Sequence, residues 1–238
     1  HRAESFIRGF SKCLFCSHRL YPKDLFPLFS LLWLRGKCRY CRHKISWQYL
    51  WAELATGLSF ALIFWYIFAE LDINVFLTQL NGLLALQLIG WWVFTSFLII
   101  IFIYDLRYYL ILDKVSLPAV AVAFIINIFL GHSWTSLLLA MLVGGGFFLA
   151  QFVLSKGKWI GGGDIRLGLL MGAILGWTGV LLGLFVAYML GGVFASILLL
   201  SKKKHLGDKL PFGTFLTIAT FIVLLYGDIL FKWYISLW

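Results

Sequence analysis

The stretch TGVLLGLFVAYMLGGVFASILLL, residues 178–200, has no charged side chain along its length. A run of about 20 mostly apolar residues is long enough for a helix to cross the hydrocarbon core of a bilayer. Similar runs predict six further spans, at about 49–70, 80–104, 115–131, 134–154, 165–177 and 212–235. The runs are continuous and lack the alternation of a barrel strand. The sequence thus predicts an all-α polytopic membrane helix bundle with about seven visible spans.

Composition and charge placement agree with a membrane protein. The chain is 62% hydrophobic and 13% charged, whereas a soluble domain has roughly 25% charged residues. Ten of its twenty Lys and Arg residues lie in 1–48, and nine more lie in or beside three short loops. With 1–48 inside, Lys232 is the one basic residue on the outer side. This pattern places the positive segments in the cytoplasm. It indicates that the net charge of +10 reflects membrane topology and not nucleic-acid binding.

The chain is predicted to have two parts. Residues 1–48 form a polar, basic cytoplasmic module, whose charge is expected to face anionic lipid headgroups, and residues 49–238 form the membrane domain. Within that domain, GGG at 144–146 predicts close helix packing, because small residues line the interfaces of membrane helices.

Four cysteines stand in two C-x-x-C pairs within the first module, at 13–16 and 38–41. Two such pairs can complete a tetrahedral four-thiolate zinc site, which would be closed and structural. Two disulfides are the alternative, although a cytoplasmic module keeps its thiols reduced. His18 and His43 lie beside the pairs and are expected to support the site without binding the ion. The predicted metal ligands are Cys13, Cys16, Cys38 and Cys41.

Carboxylates at membrane depth are rare and suggest function. Asp105 and Asp164 are 59 positions apart in sequence, but the charge topology places both at the cytoplasmic face. Two carboxylates close together share one proton, so that one acts as base toward a water and the other as acid toward a peptide carbonyl. The sequence therefore predicts a candidate aspartyl pair.

The same carboxylates could instead have structural roles, as helix caps or members of ion pairs. Asp164 after its glycines could cap the following helix, and Asp105 could pair with Arg107. Asp113 could be a solvated loop charge or the cap of the next span. Glu53 could pair with a nearby basic residue, and Asp228 is expected at the outer interface.

Several motifs, taken in this order, resemble those of the bacterial prepilin peptidases, the type IV leader peptidase group of GxGD membrane aspartic proteases. The resemblance runs along nearly the whole chain. It covers the C-x-x-C pairs, ISWQYLWAELATG at 45–57, YDLRYYLILD at 104–113, the G-x-G-D motif formed by Gly161, Gly162, Gly163 and Asp164, and LPFGTFL at 210–216. Two positions depart from the family pattern: Leu112 replaces a proline, and Arg166 replaces a common lysine.

The resemblance implies that Asp105 and Asp164 are the catalytic pair. Gly161, Gly163, Asp113 and Glu53 are the candidate supporting residues. It implies zinc on the four cysteines and cleavage of the basic leader from type IV prepilins or pseudopilins at the cytoplasmic face of the bacterial inner membrane. It also implies, for many members, methylation of the new N-terminus with S-adenosylmethionine. A further span before the cysteine module would make eight.

Two other functions fit parts of the sequence. A polytopic transporter could use Asp105 and Asp164 on a cation or proton path, and a scaffold would explain the cysteines alone. A basic leader would meet a basic protein face, so Asp113 and Asp208 are expected to offset that repulsion. The peptidase explains the most features together.

Overall fold

A computed structural model describes residues 10–13, 15–26, 29–69, 82–202, 205 and 210–236. Across these residues the regular structure is helical, and strand-like pairing is limited to the isolated bridges Lys12–Arg19 and Lys37–Lys44. The predicted all-α class is confirmed. The helices are α1 (Phe29–Trp33), α2 (Gln48–Phe68), α3 (Gly82–Tyr108), α4 (Asp113–Phe129), α5 (Trp134–Leu154), α6 (Gly162–Leu200) and α7 (Phe212–Ser236).

Within the described residues, five helices are long and apolar enough to cross a membrane: α2, α3, α5, α6 and α7. Helix α4 has 17 residues and contains Pro118, and it occupies the predicted span at 115–131. Helix α3 continues to Tyr108, beyond the predicted end at 104, so Asp105 lies in a helix and not in a loop. The number of spans stays a prediction.

Helix α6 folds back on itself at Gly176. This glycine has φ 69° and ψ −170°, a left-handed φ that other residues adopt only with strain. A carbon added at Gly183 would lie 3.0 Å from Met171 Sδ, whereas a straight helix separates residues twelve apart by about 18 Å. The halves 162–175 and 177–200 therefore lie side by side, close to the predicted spans 165–177 and 178–200.

A buried asparagine completes this turn. Asn127 on α4 donates its amide hydrogens to the carbonyls of Ala173 at 2.6 Å and Ile174 at 3.2 Å. Both carbonyls precede the break at Gly176, where the regular helical bonds end. Because an unpaired buried carbonyl is costly, Asn127 stabilises the fold-back and attaches α4 to it.

The described chain divides into two compact units, residues 1–59 and 60–238. The core of the second unit contains Phe94, Phe148, Leu170 and Leu216, each almost fully buried. The predicted boundary between residues 48 and 49 stays a prediction, because α2 runs through both units.

Small residues bring α5 and the first half of α6 into direct backbone contact. A carbon added at Gly144 would collide with the carbonyl of Gly168, and one at Gly172 would collide with that of Ala140. Gly145 also faces α6, since an added carbon would lie 2.6 Å from Leu169 Cδ2, whereas Gly146 has nothing within 4 Å. The predicted packing role of GGG is confirmed for Gly144 and Gly145 and is wrong for Gly146.

Candidate active site and metal centre

Asp105 lies in the last turn of α3 and is only 5% exposed. Its Oδ2 atom accepts a 2.7 Å hydrogen bond from the backbone N–H of Thr214, and the N–H of Gly213 faces the same carboxylate. Both groups belong to the first turn of α7, and the free N–H groups at a helix N-terminus suit an anion. The start of α7 thus covers Asp105.

Asp164 is the third residue of α6 and is 8% exposed. Its Oδ2 atom accepts a 3.1 Å hydrogen bond from the N–H of Gly161, and its own N–H donates to the Gly161 carbonyl at 3.1 Å. Gly161 is the N-cap. The reading of Asp164 as the cap itself is therefore wrong. Its side chain reaches back across the first turn, as the acidic residue of a capping box does.

One side chain connects the surroundings of the two aspartates. Ile111 lies so close to Gly163 that an added carbon there would be 2.8 Å from Ile111 Cβ. The same side chain approaches Gly213, where an added carbon would be 3.1 Å from Ile111 Cδ1 and 2.8 Å from Asp105 Oδ2. The charge of Asp105 also acts on Asp164. The end of α3 therefore meets the starts of α4, α6 and α7, and the buried carboxylates of Asp105 and Asp164 lie near each other at this point.

Asp113 and Arg166 form an ion pair beside this place. Leu112 is the N-cap of α4 and Asp113 is its first residue, so the reading of Asp113 as the cap is wrong. The pair is partly exposed, with side-chain exposures of 33% for Arg166 and 55% for Asp113. Leu112 and Arg166 are the two positions at which the chain departs from the family pattern. Asp113 connects them, because it follows Leu112 in sequence and pairs with Arg166.

Sequence reasoning missed a second polar pair near Asp164. The Tyr188 hydroxyl bonds to the amide of Gln151 at 2.9 and 3.0 Å, and its ring lies 5.0 Å from that of Phe212. Tyr188 also lies within range of an electrostatic interaction with Asp164. Neither residue belongs to a motif, and the only signal in the sequence is that each is a polar group within an apolar run.

The remaining predicted carboxylates lie elsewhere. Glu53 is exposed on α2, and its supporting role stays a prediction. Asp228 is exposed and lines a cavity of about 390 Å³ with Gln87, Asn127 and His132. It lies 14 residues along α7 from Thr214, about 21 Å by helical rise. Three lysines of the topology argument, Lys203, Lys204 and Lys209, lie outside the described residues. So does Asp208, which was expected to offset the repulsion of a basic leader.

The four cysteines converge on one point. Their sulfur atoms lie within 4.8 Å of one another, and Cys13 Sγ is 3.8 Å from Cys41 Sγ. Four sulfurs held at ~2.3 Å by a tetrahedral zinc ion are separated by about 3.8 Å, so the donor set fits the metal. All four are free thiols, so the alternative of two disulfides is not observed. The N–H groups of Cys16 and Phe15 lower the pKa of Cys13 to about 6.

The two C-x-x-C pairs are built alike. The N–H of Cys13 donates to the carbonyl of His18, and the N–H of Ser17 donates to the carbonyl of Cys13. The same bonds recur 25 positions later, among Cys38, His43 and Arg42. Sequence reasoning did not identify this repeat, although the matching spacing of the cysteines was its signal.

The histidines and an acidic residue support this centre from outside. His18 lies 3.7 Å from the ring of Tyr40, and His43 stacks 3.3 Å from Phe15, so neither belongs to the sulfur cluster. Asp24 accepts bonds from Arg39 at 2.6 Å and from Tyr40 at 3.0 Å. Burial opposes ionisation of Asp24, but these bonds and one from the Tyr21 N–H hold its pKa below the ordinary value. Asp24 thereby fastens the turn at 22–24 to the second cysteine pair.

Known proteins resemble both parts of the chain. Residues 1–67 match the Bacterial Peptidase A24 N-terminal domain, and residues 92–196 match the Type IV leader peptidase family. No solved structure matches the chain.

Several relatives carry the name prepilin leader peptidase/N-methyltransferase. The protein of Stutzerimonas stutzeri is 31% identical over 92% of this chain and 72% of its own length. That of Aeromonas salmonicida strain A449 is 31% identical over 95% and 74%, and that of Bacillus subtilis strain 168 is 30% identical over 98% and 88%. Because identity at this level extends over most of both chains, this chain belongs to the type IV leader peptidase family.

Proposed function

We propose that this protein is an aspartic endopeptidase that removes the basic leader from type IV prepilins or pseudopilins, with Asp105 and Asp164 as its catalytic residues. The observation that carries this proposal is the pair of buried carboxylates at adjoining helix ends, one beneath the first turn of α7 and one in the first turn of α6. Family membership supports the same reaction, because the relatives are named for leader cleavage.

The chemistry follows from how the two side chains are held. Two carboxylates in one buried place do not readily carry two negative charges, so the pair retains a single proton. The ionised member takes a proton from the attacking water, while the protonated member donates to the scissile carbonyl oxygen. The N–H groups of Gly161 and Thr214 fix one oxygen of each carboxylate and leave the other for water or substrate.

The arrangement suits a substrate that has a basic leader followed by an apolar helix. Basic residues stand at the same end of the bundle as the aspartates, namely Arg107, Lys114 and Arg166. By the positive-inside rule this end lies in the cytoplasm, so we place the protein in the bacterial inner membrane with its active site on the inner side. Lipids are its proposed partners along the exposed apolar helix faces.

A transporter would need a polar route from the aspartates toward the other end of the bundle. Buried hydroxyls do follow α7, at Thr214, Thr217 and Thr220. Each donates to a carbonyl three or four residues earlier, and two of these lie in α7 itself. The three hydroxyls cover only about 9 Å of helical rise, far less than the roughly 30 Å hydrocarbon core of a bilayer, so the peptidase is the better explanation.

The names of the relatives include a second activity, N-methylation. We propose that this protein also methylates the new N-terminus, with S-adenosylmethionine supplying the methyl group.

The four cysteines are proposed to bind one structural zinc ion. Replacing Cys38 by serine removes one of four thiolates, so the zinc content is expected to fall from about one ion per chain to near zero. Metal analysis of the purified protein measures this change. His18→Ala is the matched control and should retain its zinc. Equal zinc loss in both variants would contradict the four-cysteine assignment.

A cleavage assay tests the proposed function directly. The purified protein in lipid nanodiscs is incubated with prepilin or pseudopilin substrates, and mass spectrometry follows loss of the leader. We expect one cut between the basic leader and the apolar helix. Intact substrate across several such precursors, with a folded and zinc-loaded protein, would contradict the proposal.

A further inference from the structure

Ile111 differs from its neighbours in the short loop between α3 and α4. This loop comprises residues 109–112, and Ile111 is its one buried side chain, at 8% exposure. Tyr109 is 51% exposed and Leu110 is 54% exposed. The loop therefore directs a single branched apolar side chain inward, at the place where two buried carboxylates meet.

That side chain fills the space left by two glycines. Gly163 immediately precedes Asp164, and Gly213 lies against the Asp105 carboxylate. Carbons added at these glycines would lie 2.8 Å from Ile111 Cβ and 3.1 Å from Ile111 Cδ1, respectively. Ile111 thus packs against the backbone of α6 on one side and of α7 on the other.

The loop is fastened at both ends. At its start, the N–H of Tyr109 donates to the carbonyl of Asp105 at 2.9 Å, which ties the loop to the helix of the first aspartate. At its end, the carbonyl of Leu112 accepts bonds from the N–H groups of Val115 and Ser116. The next residue, Asp113, pairs with Arg166 on the helix of the second aspartate. Ile111 is therefore held relative to both carboxylates.

We propose that Ile111 is a positioning residue that sets the separation between Asp105 and Asp164. Its side chain acts as a spacer between the first turns of α6 and α7. It contacts Gly163, which precedes Asp164, and Gly213, which lies against the carboxylate of Asp105. This inference rests on the proposed function, because it concerns the geometry of the same pair. With glycine at both contact points, no other side chain replaces the spacer when Ile111 is shortened.

Shortening the spacer should affect turnover more than substrate binding. In Ile111→Ala the two helix ends can approach each other, which misplaces both carboxylates relative to the scissile bond. We expect kcat to fall about 10- to 100-fold while KM stays within about twofold of wild type, because the Ile111 side chain is buried and packs against glycine backbone. Ile111→Val, which keeps the branched carbon, should recover most of the activity.

The pH dependence of kcat separates positioning from a general loss of folding. Closer carboxylates interact more strongly, so their two apparent pKa values move apart and the bell-shaped profile should broaden by ~0.5 pH unit or more. Loss of folded protein would lower the whole profile without changing its width. Among the described residues, the charged and titratable groups that face this place from the helices around it are Asp105, Asp113, Asp164, Arg166 and Tyr188.

The matched control is Leu110→Ala, which removes a similar side chain from the exposed part of the same loop. It should leave kcat and the profile unchanged. An unchanged or narrowed profile in Ile111→Ala, or an equal loss of kcat in both variants, would overturn the inference. Asparagine variants of Asp105 and Asp164 run in parallel distinguish this outcome from failure of the proposed function, because only the latter predicts that they remain active.

Discussion

Asparagine at either Asp105 or Asp164 is expected to abolish leader removal. The amide has nearly the shape of the carboxylate, and at position 105 it can still accept the bond from the Thr214 N–H. It can neither take a proton from water nor donate one to a carbonyl, so one half of the acid–base pair is lost. Because residues that act as a unit fail together when one is removed, each single variant should lose about 10⁴-fold or more in kcat/KM.

The comparison requires a carboxylate outside the pair. Asp228 on α7 is exposed and lies about 21 Å along the helix from Thr214, so Asp228→Asn should cleave at the wild-type rate. Rates are measured by mass spectrometry of the released leader, with zinc content and thermal unfolding confirming that each variant is folded. Cleavage that persists in either Asp105→Asn or Asp164→Asn would refute the catalytic pair.

Alanine at Gly144 is expected to destabilise the membrane domain severely. The new methyl group would collide with the carbonyl of Gly168, which is backbone and cannot rotate away. Helices α5 and α6 would have to separate, and α6 carries Asp164. Overpacking typically costs about 1–3 kcal/mol and occasionally more, and we place this backbone collision at about 3 kcal/mol, the upper end of that range.

The same glycine run supplies its own control. Gly146 is two positions away and has nothing within 4 Å of an added carbon, so Gly146→Ala should unfold at the wild-type temperature or slightly above it, since alanine favours helix. Thermal unfolding in one detergent compares the two variants. Equal unfolding temperatures for both variants would contradict the close α5–α6 contact.

Long apolar runs made the helices predictable, because hydrophobic length alone specifies a membrane helix. The turn near residue 177 was also predicted, since the apolar run from 165 to 200 is too long for one span. The end of α3 was not predicted. Its last turn contains Asp105 and Arg107, and polar residues at a helix end cannot be distinguished from a loop by hydropathy.

The chemistry of the candidate site was predictable only in its charged members. Carboxylates are conspicuous in an apolar chain, and charge topology placed Asp105 and Asp164 at one face. The groups that hold them are uncharged: Gly161 is three positions from Asp164, whereas Thr214 lies 109 positions from Asp105. Ile111 lies within the motif at 104–113, but one apolar residue in an apolar chain reveals its role only through the two glycines that it touches.

The fold-back at Gly176 leaves one half-helix shorter than a bilayer is thick. The half-helix 162–175 is about 21 Å long, shorter than the roughly 30 Å hydrocarbon core of a bilayer. A short segment is accommodated by local thinning of the membrane, at a cost that rises with each ångström of mismatch. Leu167, Leu170 and Met171 of this half-helix are each about 1% exposed, because the neighbouring helices cover them. Leader removal in nanodiscs should therefore change little as acyl-chain length increases. A rate independent of chain length would show that the surrounding helices shield this half-helix, whereas a declining rate would make bilayer thickness a regulator of the enzyme.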